Sequence, residues 1–269
     1  METFTVTDPE LIADVLGDER CTVVPPAESE SGGLAWVRRH VGRFTEGEAH
    51  RRRRALAVGE IEALAPAALR AAARKAAARL LDAGTPLPGL PGEVTARVLG
   101  AALGATGLDA FAAAVPVVAA GYITGAAPSA EIDAAVAVMR EQLGPGGDEE
   151  VAARVSLPLQ AYAAVSKLAS TAIGFAAGSA EEAVDLAFAE DRPVPSLRRI
   201  ATAPVVVGGK TVPAGAEIVL SPITRETAFG TGRRPCPAEA QAVALVAGIV
   251  EAVRARTSPT TDRVEGTVR

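Results

Sequence analysis

Apolar residues recur at helical spacing along most of this chain. Thr7-Asp8-Pro9 opens a predicted helix over Glu10–Leu16, with proline in its first turn. Glu46–Val58 predicts a charged helix, and Leu64–Leu81 repeats alanine and leucine with a three-to-four period before stopping at Gly84. Pro86, Pro88 and Pro91 punctuate the chain ahead of a short helix over Val94–Leu103. Leu108–Ile123 and Ala130–Leu143 give two more helices, separated by residues 125–128. Gly144–Gly147 breaks the pattern. The longest helical stretch follows, Glu149–Ala176, disturbed by Pro158, and then Ala180–Glu190. After Pro193 the period changes. Ala203–Val207, the Gly208-Gly209 pair and Glu217–Leu220 predict a β-hairpin, and Ala238–Val253 a final helix. Pro25 to Gly33 reads as a loop, and residues 257–269 as a frayed polar tail. The pattern predicts one mainly α domain over residues 1–269, with a small β-hairpin or sheet.

Composition agrees. Of 269 residues, 49% are hydrophobic and only 3% aromatic, and alanine, the best helix former, abounds. A net charge of −5 with a single short basic run, Arg51 to Arg54, does not point to nucleic acid. No apolar run spans a bilayer, no targeting signal stands at the N-terminus, and two cysteines make no disulfide framework. These features predict a soluble, cytoplasmic protein.

The candidate chemistry lies in Phe229-Gly230-Thr231-Gly232-Arg233-Arg234-Pro235-Cys236-Pro237. Two glycines allow close backbone approach or positive φ. Cys236 stands at the start of an apolar helix, where unpaired N–H groups and the helix dipole favour thiolate. A lone thiolate so placed suits a haem iron as axial ligand, and Arg234 suits a haem propionate. The plainer reading is a small buried cysteine after a turn.

The loop resembles the cysteine-ligand signature of the cytochrome P-450 superfamily, Phe-Gly-x-Gly-x-Arg/His-x-Cys-x-Gly. Phe229, Gly230, Gly232, Arg234 and Cys236 match, and Ala238 replaces the last glycine. Other segments fall in the order of actinobacterial relatives. Arg43 to Arg54 looks like the family's third helix, so the resemblance makes His50 and Arg54 propionate contacts, one turn apart on one face. The plainer reading there is a solvated basic face. Pro193 to Arg199 looks like the segment where another arginine meets a propionate. Arg198 is the closer match and Arg199 the alternative. Val207 to Gly215 looks like the family's small sheet. The resemblance implies a shortened cytochrome P-450-like helical fold holding haem b through Cys236, with a small-molecule substrate and a redox partner or partner enzyme.

Three departures stand beside it. The register of the family's Glu-x-x-Arg reads Leu186, Ala187, Phe188, Ala189, and Leu220 runs almost directly into Phe229 where a long meander is usual. Where the long helix should carry an acid followed by an alcohol, the chain has Ala163, Ala164 and Val165. Proton delivery needs an exchangeable group. Ser166, Tyr162 and Lys167 are the nearby candidates, although Lys167 suits a snorkelling surface lysine better. Trp36 and Tyr122 suit core or pocket walls, and Cys21 packing. The resemblance then implies peroxide-driven or oxygen-independent haem chemistry or, as the alternative, a haem-free helper subunit that stabilises another enzyme.

Overall fold

The computed structural model describes residues 2–25, 32–124, 127–191, 193–221 and 223–257. Most of the Pro25–Gly33 loop, the start of the 125–128 break and the tail beyond Thr257 lie outside them. The described elements run β1 (Thr3–Val6), α1 (Pro9–Gly17), β2 (Cys21–Thr22), α2 (Gly32–His40), α3 (Gly47–Glu62), α4 (Pro66–Asp82), α5 (Leu90–Ala102), α6 (Leu108–Thr124) and α7 (Ala130–Leu143). They continue through α8 (Asp148–Ile173), α9 (Ala180–Glu190), β3 (Leu197–Ala201), β4 (Val205–Val207), β5 (Lys210–Val212), β6 (Glu217–Leu220) and α10 (Glu239–Thr257). The architecture is mainly helical with two small sheets. Among the described residues no helix is long and apolar enough to cross a membrane.

Local chemistry sets several helix starts. The Asp8 carboxylate accepts from the Glu10 and Leu11 amides at 2.9 and 3.2 Å, and Ser129 and Ser179 cap α7 and α9 through Ile132 and Glu182. Each satisfies an amide with no partner inside the helix. Pro91 falls in the first turn of α5, where a missing N–H costs nothing, so α5 begins four residues before its predicted start. Pro158 lies inside an unbroken α8.

Helices α4, α5, α8 and α10 pack together, with α9 against them, around Leu69, Leu90, Val94, Leu168, Leu245 and Ile249. A second core lies between α2, α6, α7 and the first half of α8, around Leu34, Phe111, Val118, Met139 and Leu159. Basic Arg52 and Arg53 both bond Glu149 at 2.8 Å, joining α3 to α8. The two guanidiniums pull the Glu149 carboxyl down to about 2. Its contribution to stability is therefore present above the ordinary carboxylate range and is lost as pH falls towards about 2. Half of the basic run is thus internal wiring.

The larger sheet has the order β1-β6-β3-β2, with β1 parallel to β6 and the other pairs antiparallel. Here the sequence expectation is corrected. The hairpin pairs β4 with β5, Val205 opposite Val212, while Glu217–Leu220 leaves it to pair with β3 and with Thr3–Val6. The two-residue Gly208-Gly209 turn closes the nearer partner. Cys21 is buried in the sheet's core, as its apolar surroundings suggested.

Tyr122 is fully enclosed, its ring edge-on to Phe44 at 5.3 Å, and its hydroxyl has no hydrogen-bond partner among the described residues. An unmet buried hydroxyl costs about 1–3 kcal/mol. Tyr122→Phe, which keeps the ring and removes that group, is expected to raise stability by about 1 kcal/mol, read as a higher urea midpoint at unchanged slope.

Candidate functional site

The cysteine loop is a closed turn. The Cys236 amide donates to the Phe229 carbonyl at 2.6 Å, and the Gly230 amide to Thr227 at 2.8 Å. Gly232 has φ +67°, and a Cβ there would sit 2.7 Å from the Leu16 carbonyl oxygen and 2.9 Å from the Gly17 Cα. Only glycine lets the loop lie so close to the end of α1. The Ala238 amide donates to the Cys236 sulfur at 3.4 Å, and the residue as a whole is exposed. This amide lies just ahead of α10.

One expectation reverses. Desolvation raises the Cys236 thiol pKa, and the Ala238 amide and Arg54 only partly oppose it. Helix α10 begins at Glu239, three positions on, and the Glu239 carboxylate adds a small upward push. Helix-end effects fade within a turn, so Cys236 rests as a thiol. A bound metal ion would draw off its proton, since a coordinating thiol is deprotonated outright. Among the described residues no group of three or more His, Cys, Asp or Glu side chains could itself hold a metal ion.

The loop is braced by an apolar stack. Phe229 meets Phe188 of α9 edge to face at 5.6 Å, and the Arg225 guanidinium lies over both rings, 4.5 Å from Phe188 and 5.7 Å from Phe229. Arg225 also reaches Glu239 at 3.3 Å. Phe188 belongs to the stretch where the resemblance called for Glu-x-x-Arg. Aromatic and cation–π contacts, with the Arg225–Glu239 pair beside them, hold the loop where the resemblance called for a Glu-x-x-Arg pair.

A polar box lies beside the loop. Arg234 bonds Glu46 at 2.7 Å, Gly42 O at 3.2 Å and Thr45 O, and Glu46 also accepts the Val23 amide at 3.0 Å. Arg54 donates to the Pro235 carbonyl at 2.5 Å. His50 is half-buried, and burial together with Arg234 lowers its pKa, so it is neutral at pH 7. Gly47, His50, Arg51, Arg54, Val58 and Arg233 line an open groove of about 580 Å³.

Arg198 and Arg199 face opposite ways. Successive strand residues face opposite ways, and β3 sends Arg198 outward, 64% exposed, onto Glu217 at 3.1 Å. Arg199 turns inward and is 9% exposed, with its Nη1 on the Arg198 carbonyl at 2.9 Å. Burial and then the neighbouring Arg234 push its pKa down to about 10, so it stays charged at pH 7, with Glu46 opposing the shift. A buried guanidinium so served invites an anion. The sequence offered both arginines; only the strand's facing separates them.

On α8 the distal candidates separate. Val165 is buried in the first core. Ala163 is exposed and Ala164 half-buried. Ser166 donates its hydroxyl to Tyr162 O on its own helix. Lys167 reaches the surface and pairs with Asp191 at 2.8 Å. Glu46, the acid at the centre of the polar box, was missed by sequence reasoning. Its position just ahead of the basic helix was the available signal.

No family model matches the chain, and no curated relative does. Solved structures do. A structure of P450BioI in complex with hexadec-9Z-enoic acid ligated acyl carrier protein superposes with a TM-score of 0.72 at 17% identity, covering 94% of this chain and 84% of that one. P450 OxyD, involved in the biosynthesis of vancomycin-type antibiotics, gives 0.72 at 17%, covering 94% and 81%. Cytochrome P450 TxtC, which carries out sequential aliphatic and aromatic thaxtomin hydroxylation, gives 0.68 at 19%, covering 94% and 84%. At these identities the likeness is one of backbone arrangement, and the fold of this chain is that of the cytochromes P450.

Proposed function

We propose that this chain is a haem-thiolate protein that oxidises or rearranges a small organic molecule. The observation that carries the reading is the Cys236 loop, a surface cysteine whose sulfur is backed by the Ala238 amide at 3.4 Å, on the fold that suits it. The donor set fits the cofactor on a second count. Arg199 is a buried cation served by one backbone carbonyl, which suits a propionate. Cys236 would ligate the iron of haem b, and Arg199, Arg54 and His50 would address the propionates, with Arg234 beside them. Bound haem would supply redox chemistry at its iron. The loop glycines and the Phe188–Phe229 stack fix where the sulfur sits.

The chain's own residues favour a non-standard route. Ala163, Ala164 and Val165 exchange no protons, and the Ser166 hydroxyl is spent on Tyr162 O. Peroxide-driven or oxygen-independent turnover therefore fits better than electron-driven monooxygenation. The reduced protein under carbon monoxide tests the reading: a strongly red-shifted Soret band supports it, and its absence after haem supply sinks it.

A second reading, the haem-free helper subunit, draws on the ion pairs Arg234–Glu46 and Arg198–Glu217, which leave those cations internally satisfied. The same spectrum separates the two.

Arg199→Gln is expected to weaken haem affinity ten- to a hundred-fold, taking about 1.5–3 kcal/mol for a lost charge-assisted bond. Arg198→Gln should change it less than about two-fold, since exposed pairs contribute little. Because Arg199 is buried and makes no ion pair among the described residues, its loss should leave the haem-free protein equally or more stable. Haemin titrations and thermal melts of both variants check this.

A further inference from the structure

We propose that Glu46 is an internal carboxylate that closes the Arg234 side of the site and competes with the carboxylate of the incoming ligand. The inference rests on the haem-thiolate reading above. Of the five N–H protons of a guanidinium, Arg234 commits three: Nη2 to Glu46 and to Thr45 O, and Nη1 to Gly42 O. The bidentate fork that suits a carboxylate is thereby already taken. Arg234 is 12% exposed, and Glu46 is 32% exposed. A ligand carboxylate reaching Arg234 must displace Glu46 or accept a single strand of the fork.

Glu46 has somewhere else to go. It occupies the N-cap position of α3, yet its side chain makes no capping bond. Its carboxylate goes instead to Arg234 and the Val23 amide. The first-turn amides of α3 form the positive end of that helix, which favours an anion. The carboxylate thus has two settings, across to the cysteine loop or back onto its own helix. In the first it offsets the cations gathered around it, Arg234 and Arg233 from the loop and Arg199 from β3, with neutral His50 alongside. The haem-free chain is then self-satisfied at Arg234, while Arg199 feels Glu46 only at a distance and makes no ion pair among the described residues.

The test titrates haemin into the full chain purified without haem, followed by Soret absorbance and by quenching of Trp36, the single tryptophan. Glu46→Gln keeps the shape and the Val23 acceptor but removes the competing charge. It is expected to bind haemin about ten- to a hundred-fold more tightly than the parent chain, and its haem-free form is expected to melt earlier. If Glu46→Gln does not fold, Glu46→Asp, whose carboxylate stops short of Arg234, is expected to move affinity the same way by less. Equal or weaker binding by the folded variant overturns the proposal, whether or not the parent binds through Cys236. Tighter binding with a Soret band that Cys236→Ala leaves unchanged keeps the Glu46 competition and sinks thiolate ligation. Binding by neither parent nor variant overturns both.

Discussion

Gly248→Ala is expected to cost about 3 kcal/mol, at the upper end of overpacking penalties. In a solvent-facing helix the same change adds about 0.8–1 kcal/mol of helix preference. Here the sign inverts. A Cβ at Gly248, midway along α10, would lie 2.2 Å from the Arg70 carbonyl oxygen, and 3.0 Å from both Ala73 Cβ and the Arg74 nitrogen. The first of those atoms is helix backbone and cannot rotate aside. Ala73 and Ala77 are fully buried in the same interface, so a smooth small-residue face of α4 lets the two helices meet closely. The added methyl pushes α10 off α4, and α10 follows directly from the cysteine loop. Gly59→Ala is the control. It sits in exposed α3, where an added methyl would have nothing within 4 Å, and should be neutral or mildly stabilising. At this size each kcal/mol moves Tm by about 2–4 °C, so the two variants should differ in the direction of the shift. A Gly248→Ala protein as stable as its parent would mean that α4 and α10 are farther apart than described.

Cys236→Ala is expected to abolish the red-shifted Soret band of the reduced, carbon-monoxide-bound protein altogether. No other side chain at the mouth of the loop offers a thiolate, since Cys21 is buried in the sheet. Because Cys236 is exposed, its loss should change the stability of the haem-free chain by no more than about 0.5 kcal/mol. This pairing of outcomes distinguishes a ligand from a packing residue. A raised thiol pKa adds a further signature: haem uptake should release a proton at neutral pH, because the thiol becomes a thiolate only on meeting iron. Haem binding that is equally tight and spectrally identical in the variant would assign the iron to another group.

The helices were legible where a cap and a period agreed. Ser129 and Ser179 fix starts that coincide with the predicted bounds of α7 and α9. The sheet was not. β2 has two residues, and Arg198-Arg199 hides β3 within a basic pair. Pattern reading favours the nearest partner and puts Glu217–Leu220 in the hairpin, whereas its neighbours are β3 and the distant β1. The same non-locality governed the site. The loop, its cysteine and its glycines were visible as a motif. The Glu46–Arg234 pair and the Phe188–Phe229 stack depend on segments far apart in sequence, and no local period encodes them; the facing of Arg199 follows only once β3 is known to be a strand. The thiol's rest state was misjudged because it depends on three-dimensional desolvation outweighing one nearby helix end.

The pairing of β1 with β6 carries a consequence for how the chain acquires its shape. Thr3 waits for Glu217, and Cys21 for Ala201, so β1 and β2 have no partners until β3 and β6 have also left the ribosome. Such distant closures are slow relative to helix formation. The helices can assemble first, with the sheet zipping last. Gly232 leans on the end of α1, which is tethered to β1, so the cysteine loop is seated by that final zipping event. Nascent chains should therefore gain helical content well before they gain the ability to take up haem, and the interval between the two would time the closing of the sheet.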